Sequence, residues 1–594
     1  MFIGQRDKPI SMLYGKLKSG VSLPAASIDL NTIAGQLVAA YPDAYPESQG
    51  LTNTLTPMQI DMAEDSGPTF YLLMGITALV LLIACANVAN LNLARTASRK
   101  QELAIREALG ANPRRIARQV LTESIILSLA GGGIGLVIAF FSVDLLSDFA
   151  ALHTPLASEV KINASVLAFC LIVSLLTGVV SGATSAFQKR NINEALKEGS
   201  GNITTSGSSK RLQQGLLITQ FSLSFIILTT AILVSLSLYR LNHQDTGFDT
   251  ADIIAVDLSS SAKDRVPFVL DTVRRLEALP QIESVAFSSE IPLVKGRDKR
   301  RFFQIEGRPP IDSDERPDAL KNAVSANFHQ VLNIPLLQGR FFSAADDKNS
   351  PGAALINQGF VVQFFTDENP IDKRISLDNG KTWLTIRGVV GDIREVSINI
   401  APEPTFYVPW VESWQYDLQL LINSNAPLVS VISSITETIH QVNPQQALAS
   451  VVTFEFIKDD SLASMKLVGL LVSLFALLAF VITLSGVFGV VAYNVTQRRK
   501  EIGIRVALGA NPTRIRTLFA IQGLSLCATG IAIGAFIMVF ISPLLGNVLF
   551  ATEPLNLPVY LITALVVAAV SAVAILLPIR QATLVQPNQA LREQ

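Results

Sequence analysis

A fifteen-residue stretch of this chain occurs twice, as RKQELAIREALGANP at residues 99–113 and as RRKEIGIRVALGANP at residues 498–512. Glu102 in the first copy corresponds to Glu501 in the second, an offset of 399 residues (from 102 to 501). Chance does not produce such a recurrence, so the stretches mark two copies of one unit. In each copy apolar and charged residues follow a helical spacing, and Gly followed by Asn-Pro indicates that one helix ends and another begins.

The composition of the chain indicates a membrane protein. Of its 594 residues, 49% are hydrophobic and 16% are charged, and the mean hydropathy is +0.41. Soluble domains carry about 25% charged residues. The net charge of −1 does not suggest nucleic acid as a partner, whereas membrane lipid is an expected one.

Seven apolar stretches are long enough to cross a bilayer, which takes about 20 residues. Three of these stretches come first along the chain and three come last. Between the two groups lie one further span and then a long polar region. We therefore predict two copies of a three-helix unit, and this part of the chain is all-α. The seven stretches are residues 70–94, 121–143, 165–186, 216–239, 467–493, 518–541 and 559–577.

Lys and Arg are concentrated in three connections: after the first span, after the fifth, and between the third and fourth. Positive charge favours the cytoplasmic side. We therefore predict a multi-pass protein of the bacterial plasma (inner) membrane with a cytoplasmic C-terminus. The N-terminus and residues 241–465 are then extracytoplasmic.

The region at residues 241–465 alternates strand-like and helix-like runs, which predicts one extracytoplasmic α+β domain, with room for two lobes. The strand-like runs are residues 253–258, 383–390 and 418–422, and the helix-like runs are residues 265–278 and 428–442. The full set of predicted domains is a remnant of a first such domain at 1–67, a three-helix unit at 68–200, a connecting span at 212–240, the α+β domain at 241–465, and a second three-helix unit at 466–594.

Residues 1–67 contain an extended run at 12–17 and a helix-like run at 25–40, which together resemble the end of the later domain. They are predicted outside the membrane, yet they contain no apolar segment that would start translocation. We expect the natural start to lie upstream of Met1, which would give eight spans; the alternative is a truncated product.

Small and polar residues mark positions inside the spans. Glycines four residues apart in the second span of each copy predict close helix packing, at Gly131 and Gly135 and at Gly530 and Gly534. The first span carries three asparagines, Asn87, Asn90 and Asn92. These either form hydrogen bonds across helices or lie at the membrane interface.

Nothing in the sequence has the pattern of a catalytic, cofactor or metal site. The three cysteines and four histidines are scattered. The string closest to a phosphate loop is NGKT at residues 379–382, but Ile375 stands where its first glycine would be needed. We therefore predict that the chain is not an enzyme, and that any work it does depends on a separate ATPase.

The repeated stretch, at residues 99–111 and 498–510, resembles the FtsX-type permease domain. The polar region resembles the periplasmic core of MacB-type exporters. The whole arrangement is similar to the duplicated permeases of the acidobacterial duplicated orphan permease type. The strings that carry the second resemblance are IPLLQGRFF at 334–342, LINQGF at 355–360, NPIDKRI at 369–375, GVVGD at 388–392 and FYVP at 406–409.

The resemblance implies that each repeated stretch is a coupling helix that contacts an ABC ATPase, which could bind as a dimer. The implied coupling residues are Glu102, Arg106, Leu109, Gly110 and Ala111 in the first copy and Glu501, Arg505, Leu508, Gly509 and Ala510 in the second. A basic anchor on lipid headgroups is the simpler interpretation. Positive charge alone, however, does not require Glu, Leu-Gly-Ala and Asn-Pro in the same order twice, so we favour docking.

Two functions fit this architecture. The first is the permease subunit of an ABC-type exporter or mechanotransmission complex, which couples a cytoplasmic ATPase to the extracytoplasmic domain. The alternative is a signalling or regulatory module that controls an envelope partner such as a cell-wall hydrolase. They differ in whether the outer domain contacts envelope proteins of an export route or a regulated enzyme.

Overall fold

The computed structural model of the chain describes residues 14–41, 53–58, 60, 67–98, 102, 105–106, 112–151, 162–186, 207–258, 265–294, 300–308, 317–343, 346, 352–366, 368–378, 380–410, 418–446, 448, 450–497, 511–546 and 548–583. These residues divide into two compact units. The sheet unit is drawn from Met1–Gly67 and Gln244–Ser461, and the helical unit from Pro68–His243 and Leu462–Gln594.

The elements are numbered in chain order. The helices are α1 (Leu23–Ala40), α2 (Gly67–Ser98), α3 (Pro113–Ala151), α4 (Ala164–Ala186), α5 (Gly207–Asn242), α6 (Arg265–Glu277), α7 (Phe328–Val331), α8 (Gln358–Phe364), α9 (Leu428–Val442), α10 (Phe454–Gln497), α11 (Pro512–Gly546) and α12 (Leu557–Thr583). The strands are β1 (Ile253–Leu258), β2 (Ile282–Ser288), β3 (Arg300–Phe302), β4 (Gln304–Ile305), β5 (Asp318–Val324), β6 (Leu336–Gly339), β7 (Ala353–Asn357), β8 (Arg374–Ser376), β9 (Leu384–Val390), β10 (Thr405–Pro409), β11 (Leu418–Ser424) and β12 (Ser450–Thr453).

Within the described residues, seven helices are long and apolar enough to cross a membrane, which confirms the predicted number of spans: α2, α3, α4, α5, α10, α11 and α12. Helices α5, α11 and α12 pack on one another, and α3 packs chiefly against α4. Around α5 the buried side chains include Phe221, Val487 and Ile575, which come from three different helices. Apolar residues cover these helices on all sides, as expected for segments that meet both lipid and other helices.

The sheet unit is built on a sheet of twelve strands in the order β12-β1-β11-β2-β5-β10-β7-β9-β8-β4, with β3 paired to β5 and β6 paired to β9. Strands β1 and β11 are antiparallel, with Ile253 opposite Asn423 and Leu258 opposite Leu418. The pairs β5–β10 and β7–β9 are parallel. This mixture of sheet and separate helices confirms the predicted α+β class.

Among the described residues, two hydrophobic cores lie along the sheet. In the first, helices α6 and α9 cover strands β1, β2 and β11. Helix α9 buries Val431, Ile435 and Ile439, which are spaced four residues apart and so share one helix face. In the second, the aromatic rings of Phe303 and Phe360 pack 4.9 Å apart between their centroids, against strands β5, β7, β9 and β10.

The predicted local elements agree closely with the structure. Strand β1 and helix α9 have the bounds expected from the sequence, and helix α1 begins two residues before the predicted run. Ser22 caps that helix, because its Oγ accepts a hydrogen bond from the backbone N–H of Ala25 at 3.4 Å. Within the predicted extended run, residues 14–17 contain no strand, and residues 12 and 13 lie outside the described residues.

A tight turn explains one string of the sheet unit. Gly339 ends strand β6 with a φ of +74°, in the left-handed region that favours glycine. An added Cβ there would also collide with the carbonyl oxygen of Arg387 on the neighbouring strand β9. The glycine in IPLLQGRFF is therefore required both by backbone conformation and by the close approach of two strands.

Candidate functional site

Asn-Pro begins a membrane helix in both copies, as the sequence predicts. Helices α3 and α11 start at Pro113 and Pro512, where a proline loses no helical hydrogen bond. The side chain of Asn112 accepts a hydrogen bond from the N–H of Arg114 at 3.0 Å. Asn511 accepts from the N–H of Thr513 at the same distance. The repeated motif thus fixes where the second helix of each copy starts.

The described part of the first coupling stretch is helical and exposed. Arg106 Nη2 lies 2.7 Å from Glu102 Oε1, an ion pair between residues four apart on one helix face. Arg106 also donates a hydrogen bond of 3.4 Å to Gln119 Oε1 on α3, which ties the stretch to that helix. Between the charged residues Ile105 is 58% exposed. The surface therefore combines both charges with an apolar side chain.

The other predicted coupling residues lie outside the described residues. They are Leu109, Gly110 and Ala111 in the first copy, and Glu501, Arg505, Leu508, Gly509 and Ala510 in the second. Their roles stay predictions.

The two glycine pairs have different surroundings. A Cβ added to Gly530 would lie 2.5 Å from the Cβ of Phe221 and 2.9 Å from the carbonyl oxygen of Ile218, both on α5. At Gly534 it would lie 2.8 Å from the carbonyl oxygen of Ser222. Helix α11 thus approaches the backbone of α5 at both glycines.

The corresponding glycines of α3 have open surroundings. A Cβ added to Gly131 or Gly135 would meet no atom of another element within 4 Å in the described part of the chain.

Two of the three asparagines of the first span, Asn87 and Asn92, form hydrogen bonds to other helices. For these two, the structure favours the interpretation as hydrogen bonds across helices over a position at the membrane interface. Asn87 donates to the carbonyl oxygen of Ile482 at 3.3 Å and to Ser485 Oγ at 3.1 Å, both on α10. Asn92 donates to Ser124 Oγ on α3 at 3.1 Å. Asn90 is fully buried. The first copy is therefore joined to the second by polar contacts as well as by apolar packing.

A further polar residue of this interface was missed at the level of sequence. Gln220 on α5 is fully buried, and a Cβ added to Gly486 would meet both Gln220 Oε1, at 3.3 Å, and Asn87 Oδ1, at 2.5 Å. A lone amide within an apolar run was the available signal, because buried polar groups in spans face the bundle interior.

Comparisons with known proteins agree with this arrangement. A family model described as FtsX-like permease C-terminal matches the chain twice, at residues 74–193 and 473–587, which are the two copies of the repeat. A model of the MacB-like periplasmic core domain matches residues 164–453. The chain belongs to the FtsX-like, MacB-type ABC permeases. Its sequence thus contains both domain types of these permeases, and the described residues include seven helices long and apolar enough to cross a membrane.

Individual relatives of this MacB-type permease are distant. The macrolide export ATP-binding/permease protein MacB of Mannheimia succiniciproducens is 27% identical over 215 residues, which are 35% of this chain and 33% of that protein. The protein of the same name from Vibrio parahaemolyticus is 24% identical over 334 residues, 54% of this chain and 48% of that protein. The chain thus spans about a third to a half of the length of these curated relatives.

Among solved structures, the periplasmic region of MacB from Actinobacillus actinomycetemcomitans is 15% identical, with a TM-score of 0.26. The match covers 36% of this chain and 93% of the chain in that solved structure.

The sheet unit of the MacB-type permease contains a polar cluster that the sequence did not reveal. Tyr407 donates a hydrogen bond of 2.9 Å to Glu395 Oε1, and Asn322 Nδ2 lies 3.5 Å from Glu395 Oε2. Asn322 in turn accepts hydrogen bonds from Ser288 Oγ at 2.9 Å and Ser289 Oγ at 3.1 Å. The cluster joins strands β2, β5 and β10 to the loop after β9.

The carboxyl group of Glu395 is held in an environment that favours its protonated form. Burial raises its pKa to about 7, and the neighbouring Glu290 carboxylate adds to the rise. The hydrogen bonds from Tyr407 and Asn322 lower the pKa of Glu395, but their effect is smaller than that of burial. Burial also raises the pKa of Tyr407, so its hydroxyl keeps its proton. Burying this cluster therefore costs the least free energy when the carboxyl group of Glu395 is neutral.

We expect the sheet unit to lose stability as the pH rises from about 4.5 to about 7. In that interval folded Glu395 keeps a proton that the unfolded chain releases, so the free energy of unfolding falls by up to roughly 1.4 kcal/mol per pH unit. All three tryptophans of the chain fall within the sheet unit's sequence, so urea unfolding of the full chain followed by tryptophan fluorescence measures it. Glu395→Gln should flatten this dependence, and an unchanged slope would contradict the assignment.

Proposed function

We propose that this chain couples a separate cytoplasmic ABC ATPase to its extracytoplasmic sheet unit, through the two repeated stretches that precede α3 and α11. The single observation that carries the proposal is the recurrence of Glu and Arg, four residues apart, directly before an Asn-Pro-capped membrane helix. In the first copy these two side chains form an exposed pair beside exposed Ile105. A partner can contact such a surface without first unfolding it.

The charge distribution supports a cytoplasmic location for both stretches. Lys and Arg concentrate around each copy and are sparse between the second and third spans. With the positive-inside bias, this distribution gives a cytoplasmic C-terminus and an extracytoplasmic sheet unit. Both proposed docking surfaces then lie on the side of the membrane where ATP is found.

Long continuous helices provide a means of transmission. Helix α3 contains 39 residues and α11 contains 35, lengths of about 58 and 52 Å at 1.5 Å per residue. Gln119 lies about one and a half turns after the start of α3 and accepts a hydrogen bond from Arg106 of the first coupling stretch. A displacement of this stretch would therefore be passed to α3. Helix α10, with 44 residues, begins at the residue after strand β12 of the sheet. Motion of the helices would therefore reach the sheet through the covalent chain.

Removing the charged pairs tests the docking step. The test uses the quadruple variant Glu102→Ala, Arg106→Ala, Glu501→Ala and Arg505→Ala. In pull-downs from membranes, we expect the amount of co-expressed ABC ATPase that it retains to fall at least about tenfold. This corresponds to a loss of about 1.4 kcal/mol or more of binding free energy. Folding should be preserved, because an exposed ion pair contributes only about 0–1 kcal/mol.

The matched control is a second exposed pair with the same spacing. Asp271 and Arg275 on α6 lie 3.0 Å apart but belong to the sheet unit, so their double alanine variant should retain the ATPase fully. Undiminished retention by the quadruple variant would exclude docking at these stretches. Both the export and the envelope-regulation hypotheses depend on this coupling step.

A further inference from the structure

The loop that follows strand β9, residues 391–398, contacts both ends of the main chain segment of the sheet unit. That segment begins at Gln244, shortly after the end of α5, and it ends at Ser461 in the second turn of α10. We call residues 391–398 the junction loop. Its contacts at the two ends therefore lie next to the points where the chain continues into membrane helices.

At the first end, the junction loop lies against the segment that follows α5. The N–H of Arg394 donates to the carbonyl oxygen of Thr246 at 3.0 Å, and Arg394 Nε donates to that of Asp245 at 3.2 Å. A Cβ added to Gly247 would lie 2.1 Å from the carbonyl oxygen of Asp392. Backbone meets backbone at this point, so a displacement of the segment moves the loop.

At the second end, the junction loop contacts α10. Ser397 is buried, and its Oγ lies 3.3 Å from Ser461 Oγ. The loop itself is a packed part of the protein, because Ile393 is almost fully buried. It also moves with the second core, since it continues β9 and Asp392 Oδ1 accepts a hydrogen bond from the N–H of Gly359 on α8 at 2.8 Å.

The junction loop also reaches the place where the two cores meet, between β2 and β5. These strands share one registered pair among the described residues, Ser288 with Val324, which is fewer than any other pairing in the sheet. The carbonyl oxygen of Glu395 accepts a hydrogen bond from the N–H of Leu293, shortly after β2, at 2.9 Å. Its side chain contacts Asn322 on β5 at 3.5 Å.

We infer that the junction loop is a coupling element, which converts a displacement of the chain at α5 or α10 into a shift of the first core relative to the second. Under the proposed function the ATPase is the source of that displacement, so this role rests on that proposal. A packed loop that is bonded at three places cannot follow one of them without straining the others. The β2–β5 junction yields at the lowest cost, because it has the fewest backbone pairs.

Gly247→Ala tests the transmission, because the added methyl group would collide with the carbonyl oxygen of Asp392 and displace the loop. Hydrogen–deuterium exchange of the full chain in lipid nanodiscs is followed by mass spectrometry. The N–H groups of Ser289 and Ser325 form hydrogen bonds across the β2–β5 junction, at 2.8 and 3.0 Å. We expect these two groups to exchange at least about tenfold faster, whereas the N–H groups between β1 and β11 should keep their rates.

Gly307→Ala is the matched control. Gly307 has a φ of +80° and Gly247 a φ of +79°, so alanine meets the same backbone strain at both positions. A Cβ at position 307, however, would meet no atom within 4 Å in the described part of the chain. Exchange at the junction should therefore stay at its normal rate. Equal acceleration in both variants, or none in Gly247→Ala, excludes the loop as a coupling element.

A second pair of variants approaches the loop from α10 and leaves the backbone untouched. Ser461→Ala removes the contact with Ser397 and should accelerate exchange at the β2–β5 junction at least about twofold. Ser473→Ala is its control, because that hydroxyl donates to the carbonyl oxygen of Gly469 in the same helix at 2.7 Å. Unchanged exchange in Ser461→Ala would overturn the role of the loop, even if Gly247→Ala unfolded the sheet unit.

The outcome for the junction loop is separable from the outcome for docking. Gly247→Ala leaves both coupling stretches intact, so it should retain a co-expressed ABC ATPase at the level of the unmodified chain in membrane pull-downs. Full retention with unchanged exchange at the junction refutes the loop alone. Undiminished retention by the quadruple variant refutes docking alone, and faster exchange in Gly247→Ala would still support the link between the end of α5 and the junction.

Discussion

Replacing Gly530 and Gly534 with valine is expected to separate α11 from α5 and to open the helical unit. Each new Cβ would lie within 3 Å of the α5 backbone or of a Cβ on it, and backbone atoms cannot move aside as a flexible side chain can. Overpacking of this kind costs about 1–3 kcal/mol at each position, a large share of the stability of a domain. Cys527 is 1% exposed and precedes Gly530 by three residues, so it shares the buried face. Its labelling by maleimide, with Cys85 and Cys170 replaced by alanine, should become much faster.

The matched control is the same change in the other repeat. Valine at Gly131 and Gly135 adds the same two side chains in an equivalent sequence, but each enters open space within the described residues. We expect the labelling rate of Cys527 to stay unchanged in that variant. Equal acceleration in both variants would mean that helix propensity or detergent, rather than contact with α5, controls the exposure of Cys527.

This contrast shows where prediction from sequence ends for the membrane part. The seven spans were predicted correctly because about 20 apolar residues are needed to cross a bilayer, and the repeat was visible in the residues themselves. The surroundings of the glycines were not predictable. Gly135 and Gly534 stand in equivalent strings, and only the position of α5 distinguishes them.

The same limit applies to the sheet unit. Strand β1 and helix α9 were predicted with correct bounds, because alternation and helical spacing are local patterns. The order of twelve strands depends on pairings between distant segments. In the cluster around Glu395, the contact with Asn322 likewise joins two residues that are 73 positions apart. A glutamate in a polar loop gives no local sign that its carboxyl group will be buried. Local patterns therefore predict elements, whereas buried polar groups need the assembled fold.

Asn357→Ala is expected to destabilise the sheet unit by roughly 2 to 6 kcal/mol, because two buried backbone N–H groups lose their partner at once. The side chain of Asn357 is almost fully buried at the end of β7. Its Oδ1 accepts from the N–H of Phe360 at 3.0 Å and from that of Thr405 at 2.9 Å, and its Nδ2 donates to the carbonyl oxygen of Glu403 at 2.8 Å. One amide thus caps α8 and also fixes the start of β10. Urea unfolding of the full chain followed by tryptophan fluorescence measures the loss.

Asn369 provides the comparison that separates this role from a general preference for asparagine. It is exposed, and its Oδ1 accepts one local hydrogen bond, from the N–H of Ile371 at 3.1 Å. Asn369→Ala should therefore change the free energy of unfolding by no more than about 0.5 kcal/mol. If Asn357→Ala had as small an effect, water would have to satisfy the N–H groups of Phe360 and Thr405. That is difficult to reconcile with positions almost fully enclosed by the second core.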